Sequence, residues 1–185
     1  MEGASFVERL PLARAALGYA ERRHAGQRRR SDHAPFIQHP LEVARLLHEA
    51  GAGEELVAAG VLHDVIEKTT VTRRELRARF GERIAELVEA VSENPAIEPY
   101  AKRKAALRDQ VAAADDAALM LFAADKLSKV RELRVAGLRA PKRRLAHYSD
   151  SLELLRSRRP HCSLTAQLTV ELAGLQQRLT PARQA

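Results

Sequence analysis

Three short stretches of this 185-residue chain set histidine or aspartate among apolar neighbours: Phe36-Ile37-Gln38-His39-Pro40, Gly60-Val61-Leu62-His63-Asp64-Val65-Ile66-Glu67 and Phe122-Ala123-Ala124-Asp125-Lys126-Leu127. Two imidazoles and two carboxylates form a mixed nitrogen and oxygen ligand set. Such a set suits Mn²⁺, Fe²⁺ or Zn²⁺ and lacks the thiolates of structural zinc sites. Four protein ligands leave positions open on a six-coordinate ion for a water and a phosphate oxygen. The ion would lower the pKa of that water and offset charge growing on the phosphate. Each stretch alone has a structural reading: a histidine before a helix-starting proline, a local His-Asp pair at a helix end, an aspartate paired with a buried arginine. Together they point to a metal. Asp125 lies in an otherwise apolar helix, where a carboxylate is costly without a cation.

The positioning elements read as helices. Apolar residues recur at helical spacing from about Val7 to His24, with Gly26 able to end that helix. The polar, basic stretch from Gln27 to Gln38 reads as a loop, and Pro40 can occupy the first turn of a second helix that stops at Gly51. A third, from about Glu54 to Val65, is apolar nearly all round and is expected in the middle of a bundle, ending in His63 and Asp64. Thr72 and Glu75 have capping-box spacing for a fourth. A fifth spans about Glu82 to Val91, a loop runs from Ser92 to Pro99, and a sixth runs from Tyr100 to about Ala114. A seventh has Asp116 as its expected N-cap, Pro141 opens an eighth, and Ser163 is the expected cap of a ninth. The residues from Pro181 onward are expected to fray.

Composition agrees. The chain is 45% hydrophobic, mostly through Ala, Leu and Val, and lacks Trp, which favours close-packed helices over a sandwich or barrel. One domain over residues 1–185 is expected, all-α. A single cysteine, Cys162, excludes an internal disulfide. No stretch approaches the ~18–20 apolar residues that span a bilayer, and Glu8, Arg9 and Arg14 interrupt any leader-like run. A cytoplasmic protein without membrane contact is the simplest expectation. The net charge of +7 attracts anions in general. Nucleic acid is disfavoured as partner, because no recognition motif accompanies the basic clusters at 28–30, 142–144 and 156–159 and stacking aromatics are scarce.

The order and local wording of these stretches resemble the HD superfamily, and within it the hydrolase domain of the RelA/SpoT alarmone enzymes and their small stand-alone relatives. The matching text is Gly26-Gln27 with the arginines after it, Phe36 to Ala44, Leu62 to Glu67, Val71-Thr72, Phe80-Gly81 and Ala124 to Leu127. The resemblance implies a helical HD-type domain with its hydrolase core over about 10–140 and C-terminal helices over about 141–180. It implies one divalent ion, Mn²⁺ first and Fe²⁺ or Zn²⁺ as alternatives, on His39, His63, Asp64 and Asp125. It implies removal of pyrophosphate from the 3′ position of a guanosine polyphosphate. Glu67 matches the acidic residue that positions or activates water. Arg29 and Arg30 match a loop that stacks on the base, and Arg103 with Lys104 match a second basic pair.

Departures from the family fall on the acid/base and substrate parts. Lys68 stands where the family has aspartate, Lys129 where it has asparagine, Glu132 where it has threonine, and Asp32 where it has glycine. Lysines can bind further phosphate charge, but a protonated lysine accepts no proton from water. Two readings therefore stand beside each other: a metal phosphohydrolase in which Lys68 and Lys129 redirect specificity, and a sensor that binds metal and phosphorylated ligand without turnover. A nucleic-acid binder is the third. Outside the site, His24 is expected as a cation at a helix end, His48 on a polar face, His147 and Tyr148 as packing residues that could rim the site, and His161 and Cys162 in a loop.

Overall fold

The computed structural model describes residues 5–137 and 140–178; the fraying expected from Pro181 lies outside them. The described chain is helical, and its one β-like feature is an isolated bridge between Arg28 and Pro35. After a 3₁₀ turn, Val7–Arg9, come α1 (Pro11–Arg23), α2 (Gln38–Glu49), α3 (Glu54–Leu62), the single turn α4 (Val65–Lys68) and α5 (Arg73–Phe80). Then follow α6 (Glu82–Val91), α7 (Tyr100–Ala113), α8 (Asp116–Val135), α9 (Lys142–Arg158) and α10 (Ser163–Gln177). None of these helices is long and apolar enough to cross a membrane.

The all-apolar run from Leu56 to Leu62 is buried throughout. It forms the spine of the bundle, with α1, α2, α6 and α8 packed around it. Close approach to α2 requires Gly60: a Cβ there would meet Leu47 Cδ1 at 2.7 Å and the Ala44 Cα at 3.2 Å. The second long buried element is α8, which touches α2, α3 and α6 on one side and α7, α9 and α10 on the other. Helices α9 and α10 thus extend the same core, through Leu152, Leu155, Leu164, Leu168, Leu172 and Leu175. Arg131 and Arg134 of α8 both pair with Glu171 of α10.

Local chemistry moved several expected boundaries. The single first helix is two elements, because Leu10 is extended (φ −121°, ψ 92°) and Pro11 opens α1. Proline has no N–H to give and tolerates only a first-turn place, while the next amide, of Leu12, donates to Glu54 Oε1 at 2.6 Å. The third helix stops at Leu62 rather than Val65, and α4 restarts after His63 and Asp64. Thr72 caps α5 as expected, accepting from the Glu75 amide at 3.2 Å. The reciprocal half of the box is missing because Tyr19 and Arg23 hold the Glu75 carboxylate. The cap of α8 is Asp115, one residue before the expected Asp116, accepting from Ala118 N at 3.0 Å. Ser163 is the first residue of α10 and makes no cap hydrogen bond, with Cys162 at the cap position.

Filling the α2–α3 contact should be costly. Gly60→Ala is expected to lower stability by about 1–2 kcal/mol despite alanine's better helix propensity, since overpacking costs ~1–3 kcal/mol. Gly18→Ala, whose added Cβ would come no closer than 3.6 Å to Arg22, is expected to be neutral or slightly stabilising. Urea unfolding of the pair checks the claim, and equal midpoints would refute a tight α2–α3 contact.

Candidate active site

The break between α3 and α4 is what builds the centre. Inside a continuous helix the Gly60 carbonyl would accept from the residue 64 amide; here the His63 ring Nδ1 lies 2.8 Å from that carbonyl. Because a carbonyl only accepts, Nδ1 carries the proton and Nε2 presents a lone pair. His39, near the start of α2, contacts Ser128 Oγ of α8 through Nδ1 at 2.9 Å, and its Nε2 likewise faces inward. Asp64 comes from the break itself and Asp125 from the middle of α8. Nε2 of His39 lies 3.2 Å from Asp125 Oδ1 and 3.6 Å from Asp64 Oδ2. Nε2 of His63 lies 3.5 Å from Asp64 Oδ2 and 3.6 Å from Asp125 Oδ1.

All four residues are buried, and these four inward atoms have no hydrogen-bond partner. Orphaned buried acceptors are rare in native proteins and each costs about 1–3 kcal/mol. A first-row divalent ion with bonds of ~2.0–2.2 Å keeps neighbouring ligands about 3.0–3.5 Å apart, close to the spacing found. Ligand atoms of His39, His63 and Asp125 all lie within 4.8 Å of one another and could hold one divalent cation. Asp64 Oδ2 lies 3.5–3.6 Å from both imidazole nitrogens, and each imidazole has the outward partner that metal-bound histidines need.

Lysines crowd this centre. Lys129, one turn after Asp125, places Nζ 2.9 Å from Asp125 Oδ1 and 4.0 Å from Asp64 Oδ2. The Asp125 contact is an ion pair without hydrogen-bond alignment, which is why Oδ1 remains an orphan. Lys126 pairs with the other Asp125 oxygen and lies over the Phe122 ring. Lys68 of α4 sits 4.0 Å from Asp64 Oδ1 and 2.9 Å from Glu67 Oε1. The expected buried-arginine partner for Asp125 is thus absent among the described residues, and lysines take that part. Burial works to raise both aspartates, but Lys129, His63 and Lys68 outweigh it at Asp64, and Lys126 and Lys129 at Asp125, so both carboxyls are held well below the usual range. Burial works against the Lys129 ammonium, and the same carboxylates overcome it and hold its pKa well above that of ordinary lysine.

His39 of the centre, with Lys126 and Lys129 beside Asp125, lines a cleft of about 700 Å³, a size that suits a small-molecule ligand. Every substrate residue expected from the sequence lines it: Arg29, Arg30, Arg103, Lys104 and Lys129, together with Glu67 and Lys68. Their side chains are not equally free. Arg29 forks onto Asp32, the residue standing for the family's glycine. Ser31 of the same loop bonds Glu132 of α8, another departure. Arg103 and Lys104 both pair with Glu93, which burial would raise and which these cations hold low.

Sequence reasoning missed Ser128, Lys126, Glu93, Tyr100 and Arg144. Ser128 was within reach, since a residue three after Asp125 shares its helix face; Glu93 lies in a loop with no pattern to mark it. His147 and Tyr148 line the cleft. Burial, with Lys126, Lys104 and Arg108 nearby, pushes His147 down to about 2, and burial pushes the Tyr148 phenol up to about 12, so both are neutral near pH 7. His24 is not the expected helix-end cation. It is buried against Phe36 with Nδ1 2.9 Å from Gln27 Oε1, and burial lowers its pKa. His48 is exposed, stacked on Phe6.

An HD-domain family model matches residues 16–152. The chain belongs to the HD-domain family of metal-dependent phosphohydrolases. Guanosine-3′,5′-bis(diphosphate) 3′-pyrophosphohydrolase of Aquifex aeolicus is 36% identical over 122 residues, 65% of this chain and 17% of that protein. The human enzyme of the same name, MESH1, is 37% identical over 121 residues, 64% of this chain and 67% of that protein. The chain therefore spans a small part of the long bacterial relative and two thirds of the short human one. Among solved structures, a metazoan ortholog of SpoT described as hydrolysing ppGpp superposes with a TM-score of 0.75 at 26% identity, covering 90% of this chain and 95% of its own. A protein of Listeria monocytogenes EGD-e superposes with a TM-score of 0.70 at 28% identity, covering 77% and 96%.

His63→Ala and Asp64→Ala are each expected to abolish stoichiometric binding of a divalent metal, measured by elemental analysis of the folded protein. Ser128→Ala, which removes only the outer partner of His39, is expected to weaken metal affinity by ~10–100-fold. Full metal content in a folded His63→Ala/Asp64→Ala double variant would remove the ligand assignment.

Proposed function

We propose that this chain hydrolyses the 3′-pyrophosphate of a guanosine 3′,5′-polyphosphate, acting in the cytoplasm as one HD-type unit across its whole length. The reading is carried by one observation: four orphaned ligand atoms cluster beside a basic cleft that His39, Lys68, Lys126 and Lys129 line. The names of the relatives supply the substrate. In this reading His39, His63, Asp64 and Asp125 hold one divalent ion, Mn²⁺ before Fe²⁺ or Zn²⁺. Bound there, the ion supplies a more acidic water and neutralises charge on the phosphoryl oxygens.

The chain's own residues do the rest. Glu67, on the cleft lining three residues after Asp64, is the carboxylate that orients the attacking water and takes its proton. Water adds to the phosphorus next to the 3′ oxygen, the bond from that oxygen to phosphorus breaks, and the 3′ oxygen leaves as a hydroxyl after protonation from solvent. Arg103, Lys104 and Lys129 sit where phosphate oxygens would lie. A phosphate there would compete with Glu93 for Arg103 and Lys104. Arg29 and Arg30 stand at the nucleoside end, with Arg29 pre-oriented by Asp32. A second reading, a sensor that binds metal and nucleotide without turnover, draws on the Lys68–Glu67 ion pair, which engages the carboxylate assigned here as base.

Metal-loaded protein is expected to release pyrophosphate from guanosine tetraphosphate and to leave ordinary nucleoside triphosphates intact, with phosphate and pyrophosphate assayed separately. Glu67→Gln is expected to lower kcat by ~10²–10⁴-fold at unchanged metal content. Nucleotide binding without turnover in metal-replete protein would instead favour the sensor.

A further inference from the structure

Each of the four carboxylate oxygens of Asp64 and Asp125 has an ammonium within 4.0 Å: Lys68 at Asp64 Oδ1, Lys129 at Asp64 Oδ2 and Asp125 Oδ1, and Lys126 at Asp125 Oδ2. Two of those oxygens, Asp64 Oδ2 and Asp125 Oδ1, are also orphaned ligand atoms. The Lys129 head therefore stands at the oxygens a metal would take. It answers their charge but leaves both imidazole Nε2 atoms without a partner, so it is an incomplete substitute.

Charge makes the consequence definite. With Glu67 on Lys68, three ammoniums face three carboxylates and the cluster is about neutral, so a divalent ion would leave it with an excess of two positive charges. Like charges a few ångströms apart in a low-dielectric site repel strongly. A phosphate group, with a charge of about −1.5 to −2 near pH 7, removes most of that excess. Lys129 is also the lysine best able to respond. Its side chain is 30% exposed and lines the cleft, and its flexible four-carbon stem can turn the head from the carboxylates toward an anion in the cleft. Lys126 is held, by contrast, over Phe122 and against the outer oxygen of Asp125.

We propose that Lys129, seconded by Lys68, makes metal binding and phosphate binding mutually dependent in this protein: the lysine holds the metal's carboxylates until a phosphate-bearing ligand draws its head into the cleft and the divalent ion replaces it. The inference rests on the ligand assignment above but needs no turnover. Binding energies are reciprocal, so phosphate must tighten the metal by the factor with which the metal tightens phosphate.

The test uses the full chain stripped of metal. Free Mn²⁺ is followed by electron paramagnetic resonance, with and without millimolar inorganic phosphate, correcting for the soluble manganese–phosphate complex. Phosphate is expected to tighten Mn²⁺ by ~5–150-fold. Lys129→Asn is expected to bind Mn²⁺ about tenfold more tightly than the parent without phosphate and to lose most of the phosphate effect; Lys129→Gln, closer in length, serves as second variant. Metal-free Lys129→Asn is expected to melt at a lower temperature than the parent and to gain more from saturating Mn²⁺. Parent affinity unchanged within twofold by phosphate would overturn the coupling by itself, even if neither variant folds. So would Lys129 variants that bind Mn²⁺ no better than the parent. Failure to hydrolyse any guanosine polyphosphate, with the phosphate dependence intact, would instead fault the proposed reaction alone.

Discussion

Two imidazoles and two carboxylates meet buried inside the bundle, and the atoms they point at one another are all acceptors or lone pairs. Among the described residues lysines bring charge to the carboxylates, but both imidazole Nε2 atoms stay without a partner. Burying such a cluster without a cation is among the costliest arrangements a fold can hold. The lysines around it offset charge without satisfying the imidazoles. The rest of the molecule follows from the need to keep these four groups converged in both conditions.

The helices meet that need by rigidity. The apolar spine α3 is clamped on four sides and approaches α2 so closely that Gly60 must lack a side chain. Helix α2 carries His39, so the glycine contact fixes one ligand against the element that ends in the next two. Helix α8 contributes Asp125, Ser128 and Lys129 from successive positions on one face. Its far side is anchored by α9 and α10, whose contacts with α8 place His147 and Tyr148 on the wall of the cleft. Most candidate substrate-facing residues come instead from the basic loop near Arg29 and from the first turns of α7, held by Glu93 of the loop before it, where polar contacts set position.

This division explains what the sequence disclosed. The all-round apolar character of α3 announced burial, and burial made His63 and Asp64 conspicuous. The same logic applied to Asp125, so these candidate ligands stood out from residue types and surroundings. Helix ends were less so, because they depend on partners distant in the chain. Glu75 is taken by Tyr19 and Arg23 instead of closing its capping box, and the end of α3 turns on the His63 ring reaching the Gly60 carbonyl. His24 looked like a helix-end cation until Phe36 and Gln27 closed over it. Lys68 and Lys129 stood out as departures, but only three dimensions show that they converge on the same carboxylates.

The central claim, that His39, His63, Asp64 and Asp125 form one metal centre, is tested most directly by crystals grown in manganese and measured at the manganese absorption edge. The account predicts one anomalous peak per chain, about 2.0–2.3 Å from Nε2 of His39 and His63 and from the inner oxygens of Asp64 and Asp125. An ordered Lys129 ammonium on Asp125 with no such peak at saturating manganese, or a peak bound elsewhere in the chain, would contradict it.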